Sequence, residues 1–368
     1  MIGLALTDVQ TITPYDINRP LAFDLLQMSG TVRIIPTDKV FFVAGNDSIL
    51  DGALQAGLSL NYGCSNGNCG MCRGRVISGE VQRIRHHDYV VNAAEKSRGY
   101  VLLCSYAPAG DIVVEAYVAT ASEDIPTQKI LAKLKSRHPL NDETISLQIQ
   151  TPRTHRFRFL AGQEVKLKLT SGRVFAHPIA SCPCEDRNIE FHFRKNLDSE
   201  TVQDLLQLGH GETIEMEGPT GDFTLGAVSN QHLVFVAWDI GFAPIKSLIE
   251  HALQQEEVQS DMHLYYLLPL GADPYLHNMV RAWNDAFDQF TYTPLFLSGG
   301  YEEVAADLET GGIEFCEAIE PQIRKLLPAD SCSVYIAGPK PVPDLVRPMF
   351  IRAGVPRDQI KIAVINPV

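Results

Sequence analysis

The sequence predicts a multidomain α/β protein, and three observations carry that reading. The chain has 368 residues, more than one hydrophobic core ordinarily fills, so two or three domains are expected. Between residues 129 and 227, several short runs such as "TISLQIQT", "QEVKLKLT" and "IEFHFRK" alternate apolar with polar side chains, the mark of an antiparallel barrel. From His232 onward, strand-like and helix-like segments take turns, which implies a parallel sheet wound with helices on both faces.

Residues 1–30 form a mixed N-terminal extension without a clear period. From Thr31, "TVRIIP" and "KVFFVAG" read as strands, and "NDSILDGALQAGL" as a helix with Ile49, Leu50, Ala53 and Leu54 on one face. Asn46, Asp47 and Ser48 offer its cap. "RGRVISGEV" reads as a hairpin turning at Ser78-Gly79, followed by strands "GYVLLCSYA" and "DIVVEAYV". These elements make a first domain, 31–118. A small, polar, proline-containing linker spans 119–128. The barrel, 129–227, is interrupted by one helix near "SETVQDLLQLG". The remaining domain, 228–368, begins with strand "HLVFVAW" and helix "APIKSLIEHALQQ" and ends with strand "CSVYIAG" and the loop after it.

Composition narrows the function classes. Hydrophobic residues make up 45 % of the chain, no apolar run reaches the length of a membrane span, and the start carries no lysine for a signal peptide. A cytoplasmic protein with no membrane span is expected. The formal charge of -13 argues against a nucleic-acid partner, because phosphate contacts need clustered Lys and Arg. Residues 31–118 hold eight basic and eight acidic side chains, so no strong steering field is expected there. Eight cysteines in a large chain of this kind read as ligands and core thiols rather than disulfides.

Three of those cysteines crowd into "YGCSNGNCGMCRG", residues 62–74. Cys64, Cys69 and Cys72 have the spacing C-x4-C-x2-C, and Cys104 follows after 31 intervening residues, in what reads as an apolar strand. That is the plant-type arrangement for a [2Fe-2S] cluster, whose two irons need four converging thiolates. Glycines 63, 67, 70 and 74 allow the tight path and let N–H groups point at the sulfurs. Zinc sites pair two short C-x2-C units and only one is present here, which favours iron-sulfur over zinc. Cys182 and Cys184 form a C-x-C pair without such a context.

The stretches "SILDGALQAGLSLNYGCSNGNCGMCRGRVISGEV" and "GYVLLCSYAPAGDIVVE" resemble a plant-type ferredoxin domain, a β-grasp-like fold. Downstream, "FRFLAGQEVKLKL", "HPIASCPCED", "EGPTGDFTL", "GFAPIKSLIE" and "VYIAGP" occur in the order of the ferredoxin-NADP reductase superfamily. Over residues 31–368 the chain is similar to reductase components of bacterial multicomponent oxygenases. The resemblance implies an antiparallel β-barrel flavin-type domain and a doubly wound α/β nucleotide-type domain. It also implies that NAD(P)H gives a hydride to FAD and that electrons then pass singly through the cluster to a protein acceptor, such as an oxygenase component.

Carried over residue by residue, the resemblance places cofactor contacts at His177, Pro178, Ile179, Ala180 and Ser181, at Thr201 and Gly218, at Gly241 and Pro244, and at Gly338 and Pro339. Several of these positions depart from the family's pattern. Phe175, His177 and Pro178 stand where R-x-Y-S would supply an arginine, a stacking tyrosine and a donor serine; Arg173, Arg194 and Lys195 are candidate substitutes for the arginine. Asp198 and Glu200 bring negative charge to a helix start that would face phosphates. In "WDIG", Trp238 and Asp239 fill two glycine positions of the dinucleotide loop, and Ala337 and Lys340 alter the C-G-P-P-x-M-type loop.

Two readings of different class follow. The first is an NAD(P)H-dependent flavin and iron-sulfur reductase. The second is a non-enzymatic [2Fe-2S] carrier or complex subunit whose reductase-like domains serve as a docking scaffold.

Overall fold

The computed structural model describes residues 29–195, 199–226, 231–255, 260–299, 301–325 and 331–365. The N-terminal extension up to residue 28, and Asp198, lie outside the described residues.

The chain enters a mixed sheet through β1 (Gly30–Ile35) and β2 (Lys39–Val43), an antiparallel pair. Val32, Ile34, Phe41 and Val43 are buried on one face, as a half-buried strand pair requires. Helix α1 (Ile49–Gln55) crosses that face. Of the three cap candidates, Ser48 does the work: its Oγ accepts Asp51 N at 3.1 Å, and Asp51 Oδ2 accepts Ser48 N at 3.1 Å. There follow β3 (Ser59–Leu60), β4 (Arg73–Ser78), β5 (Val81–Arg83), α2 (Ala93–Ser97), β6 (Tyr100–Leu102), β7 (Tyr106–Pro108), β8 (Ile112–Glu115) and β9 (Val118–Ala119). The main sheet runs β2-β1-β8-β4-β6, with β1 and β8 parallel. Wrapped around α1, it forms a β-grasp arrangement.

Two sequence expectations are corrected here. "RGRVISGEV" is not a hairpin: both edges of β4 are taken by β6 and β8, so β5 pairs with β7 instead. Cys104 does not lie in a continuous strand either. The run "GYVLLCSYA" breaks into β6 and β7, and Cys104 sits in the turn between them.

The second sheet contains β10 (Gln128–Pro139), β11 (Thr144–Gln150), β12 (Glu164–Lys168), β13 (Val174–Pro178), β14 (Asn188–Arg194) and β15 (Thr213–Thr220). It is antiparallel throughout, in the order β13-β12-β15-β10-β11-β14. The stretch after β13 closes the barrel onto β14: Ala180 N donates to Glu190 O at 2.8 Å, and Glu190 N donates to Ser181 Oγ at 3.1 Å. Leu147, Phe159, Leu167, Ile189 and Phe191 are among the side chains filling its interior. Helix α3 (Glu200–Gln207) is the predicted interruption.

The third sheet is parallel, ordered β18-β17-β16-β19-β20. Its strands are β16 (His232–Trp238), β17 (Met262–Pro269), β18 (Phe290–Leu297), β19 (Cys332–Gly338) and β20 (Ile360–Val364). Helices α4 (Phe242–Gln254), α5 (His277–Ala286), α6 (Tyr301–Thr310), α7 (Ile313–Ile323) and α8 (Pro341–Ala353) connect them. Separate hydrophobic clusters cover the two faces, as a doubly wound sheet requires. The strand order reverses between β16 and β19, so the crevice that such sheets use for ligands opens beyond Trp238 and Gly338. The sequence reading ends at strand "CSVYIAG" and the loop "AGPKPV", and helix α8 follows directly on that loop despite the prolines of "PKPVPDLVRPMF". Pro341 opens the helix and Pro348 is absorbed inside it. Among the described residues no helix is long and apolar enough to cross a membrane.

Candidate metal centre and cofactor cleft

The four predicted ligand thiols meet at one end of the β-grasp sheet. Cys64, Cys69 and Cys72 lie on the loop between β3 and β4, and Cys104 on the β6–β7 turn. They form two pairs. Cys72 and Cys104 are buried with their Sγ atoms 3.2 Å apart. Cys64 and Cys69 exchange backbone donors, Cys64 N to Cys69 Sγ at 3.4 Å and Cys69 N to Cys64 Sγ at 3.3 Å. Asn68 N also points at Cys64 Sγ, and Met71 N at Cys69 Sγ. Two thiol pairs surrounded by N–H donors are the donor set a two-iron cluster takes, so the residues present fit that group.

Cys64 and Cys104 are shifted towards the thiolate form, which suits a cationic iron-sulfur core. Burial raises the Cys64 pKa, but N–H donors from Asn66, Cys69 and Asn68 outweigh it and the net shift is downward. Contact with Cys72, above all, holds Cys104 down at about 6, while Cys72 is raised. One proton is therefore shared within that pair.

The glycine path is enforced from above. Gly70 has φ +73°, and a Cβ there would lie 2.3 Å from the Tyr89 ring; at Gly67, with φ +85°, it would lie 2.5 Å from His87 Cβ. Tyr89 N donates to Gly67 O at 3.1 Å. The segment carrying His87 and Tyr89 thus lies directly on the loop, a covering the sequence reading missed.

On its other side the loop meets the barrel. Arg156 N donates to Gly63 O at 2.7 Å, and Arg158 Nη1 to Asn61 Oδ1 at 2.7 Å. The Arg158 guanidinium lies 5.6 Å from the centre of the Tyr62 ring. Arg156 Nη1 also reaches Asp186 Oδ1 at 3.1 Å. Burial pushes the Asp186 carboxyl up to about 6, and pushes the Tyr62 phenol well above 10 with help from Asp186. The signal in sequence was two arginines alternating with phenylalanines in "RFRF", where one side of the alternation is core and the other faces the cysteine loop.

The predicted flavin positions fall at the end of β13. His177 is 1 % exposed, with its ring stacked on Phe193 at 4.1 Å and its Nε2 donating to His192 O at 2.7 Å. Burial lowers its pKa to about 4, against the hydrogen bond to the His192 carbonyl, which raises it. Pro178, Ile179 and Ala180 are buried, and Ser181 is held by Glu190 N and by Ser247 Oγ, which donates to Ser181 O at 2.7 Å. Thr201 N is bonded to Ser199 Oγ at the start of α3, and Gly218 pairs with Gln128 in the barrel. Arg173 does not reach towards a pyrophosphate: its Nε and Nη2 bind Asp204 and Glu200 at 2.6 Å each.

The predicted nicotinamide positions gather at the crevice between β16 and β19. Gly241 approaches so closely that a Cβ would lie 2.2 Å from Ala337 O, and Gly338 lies against Trp238. Pro244 is buried at the start of α4, and Pro339 O accepts Val342 N at the start of α8. Trp238 is 5 % exposed and packs edge-on to Phe315. Asp239, at φ +48°, forms a 2.6 Å ion pair with Arg194, whose other arm binds Glu143 at 2.6 Å. This bridge links the barrel to the parallel-sheet domain beside the crevice. Lys340 is exposed and paired with Asp344. A cavity of about 670 Å³ opens elsewhere, between β2, α1, the barrel exit and α4, and none of the predicted cofactor residues lines it.

Residues 32–109 match the family described as "2Fe-2S iron-sulfur cluster binding domain". The chain is 29 % identical to a CDP-6-deoxy-L-threo-D-glycero-4-hexulose-3-dehydrase reductase of Yersinia pestis, over 73 % of this chain and 80 % of that one. It is also 29 % identical to reductase component 1 of terephthalate 1,2-dioxygenase from Comamonas, over 78 % and 84 %. Among solved structures, the Amycolatopsis cytochrome P450 reductase GcoB is similar at TM-score 0.55 and 20 % identity, covering 91 % of this chain and 98 % of that one. Ferredoxin-NADP+ reductase from Plasmodium falciparum is similar at TM-score 0.54 and 14 % identity, covering 64 % and 96 %. A segment that matches an iron-sulfur cluster binding domain is thus joined to a body similar in fold to ferredoxin-NADP+ reductase.

Proposed function

We propose that this chain, a [2Fe-2S] domain fused to a reductase-fold body, is an electron-transfer protein that delivers electrons one at a time to a protein acceptor, an oxygenase component. Cys64, Cys69, Cys72 and Cys104 hold the cluster, and the body is the entry side, taking electrons from NAD(P)H through FAD. The observation that carries the reading is the pairing of the four thiols among backbone N–H donors. The reductase names of the relatives support the direction of flow. When bound, a flavin converts a two-electron hydride donor into a one-electron source, which a cluster needs. The protein's own share is to seat the cluster on donors that favour its reduced form, to cover it with Tyr89 and His87, and to fix it against the barrel through Arg156 and Arg158. Cys69 and Met71 remain exposed on the side where an acceptor has access. A cytoplasmic setting accords with free thiols in ligand positions.

The second reading, a carrier with a docking scaffold, is favoured by one specific observation: Asp239 and His177 stand at positions the resemblance gives to cofactor contacts, with Asp239 paired to Arg194 and His177 bonded to the His192 carbonyl. Spectroscopy of the purified protein decides between the two. Heat-released FAD and reduction by NADH at catalytic rates are expected for the reductase. A dithionite-reducible cluster without flavin, even after reconstitution, would leave the carrier.

A further inference from the structure

The barrel contributes a buried cation to the surroundings of the cysteine loop. Arg158 is 4 % exposed. Its backbone is clamped by the Gln128 side chain, which donates to Arg158 O at 2.7 Å and accepts Arg158 N at 3.0 Å. Its guanidinium gives one hydrogen bond to a neutral acceptor, Asn61 Oδ1, and lies over the Tyr62 ring. Nε and Nη2 are buried without hydrogen-bond partners, and among the described residues no carboxylate is within ion-pair distance. The neighbouring Arg156, by contrast, has Asp186 at 3.1 Å.

A buried guanidinium without a counter-charge is strongly unfavourable. Tyr62 stands two residues before Cys64, and Arg156 N from the same barrel segment donates to Gly63 O at 2.7 Å, so Arg158 packs against the stretch that leads into the seat, on which Arg85 bears from the other side at Cys104. Four thiolates with two sulfides and two ferric irons carry net negative charge, and reduction adds another. We infer that Arg158 is a positioning residue of the metal centre: a cation supplied by the barrel, whose counter-charge is the cluster, and which raises the cluster's reduction potential. The reductase-fold body thereby sets the potential of the centre it abuts, and the acceptor meets a cluster tuned by the whole chain. Asp186, on the same interface, acts in the opposite sense. This inference rests on the proposed four-thiolate seat.

The test is a redox titration of the intact chain, followed by electron paramagnetic resonance at pH 8, where the Asp186 carboxyl is ionised. Arg158→Gln is expected to shift the midpoint to a more negative value with the line shape kept, and Arg158→Lys to stay near the wild type. Asp186→Asn is expected to shift it to a more positive value. A wild-type midpoint in Arg158→Gln would overturn the inference. Should that variant fail to accumulate, Asp186→Asn decides alone, and an unchanged or more negative midpoint overturns it. A wild-type protein without any [2Fe-2S] signal would instead defeat the four-thiolate reading on which this one stands.

Discussion

Replacing Asp239 by glycine perturbs the crevice at its most altered point. The substitution removes a 2.6 Å ion pair between side chains that are each 12 % exposed. Deleting one member of a buried pair costs about 3–5 kcal/mol when the other is stranded. Arg194 is not stranded, because Glu143 still holds it at 2.6 Å, so the low end of that range applies. Asp239 also has φ +48°, and relieving a left-handed non-glycine residue returns about 1 kcal/mol. The expected net loss is about 2 kcal/mol, from the same two terms, felt where the barrel meets the parallel-sheet domain. Removing the carboxylate simultaneously opens the dinucleotide loop, and about 1.4 kcal/mol of relieved repulsion corresponds to tenfold tighter NADH binding. Guanidinium unfolding and NADH titration of wild type and Asp239→Gly measure both. Unchanged stability together with unchanged NADH affinity would refute this account of the bridge.

Further predictions concern the loop and the barrel. Gly70→Ala forces a Cβ to within 2.3 Å of the Tyr89 ring at φ +73°; the backbone term alone is about 1–2 kcal/mol, and faster bleaching of the visible spectrum in denaturant is expected, with wild-type bleaching contradicting it. His177 has its pKa lowered to about 4, so the unfolded chain binds its proton first. Its contribution is therefore intact above about pH 6.5 and is lost as pH falls towards 4. At pH 5 that loss is about 2 kcal/mol, so His177→Phe, less stable at pH 7 through its lost hydrogen bond, should close the gap or overtake the wild type at pH 5. A constant gap across that range would count against the buried neutral imidazole.

The cysteine loop was legible because iron-sulfur chemistry fixes ligand spacing locally: C-x4-C-x2-C needs no knowledge of the rest of the fold. The three sheets were legible from period-2 runs and from strand–helix alternation, both local properties. What escaped depends on pairing partners far away in sequence. The Ser78-Gly79 turn looked like a hairpin because nothing local shows that β6 and β8 already occupy both edges of β4. Cys104 looked like a strand residue because the turn that carries it is made of Leu103, Cys104 and Ser105, two of them buried apolar side chains. Helix α8 lies beyond the last element the sequence reading assigned, and it carries Pro341 at its start and Pro348 inside. At the cleft, the sequence marked Asp239 as a departure and Arg194 as a candidate substitute for the flavin arginine, but not that the two side chains pair with each other. That link joins two domains and has no sequence period.

The account stands most directly on the iron and acid-labile sulfide content of the anaerobically purified protein, read with its dithionite-reduced electron paramagnetic resonance spectrum. About two irons and two sulfides per chain with a [2Fe-2S] signal, all lost or altered in Cys104→Ser, are predicted. One zinc per chain, or a signal that Cys104→Ser leaves untouched, would contradict it.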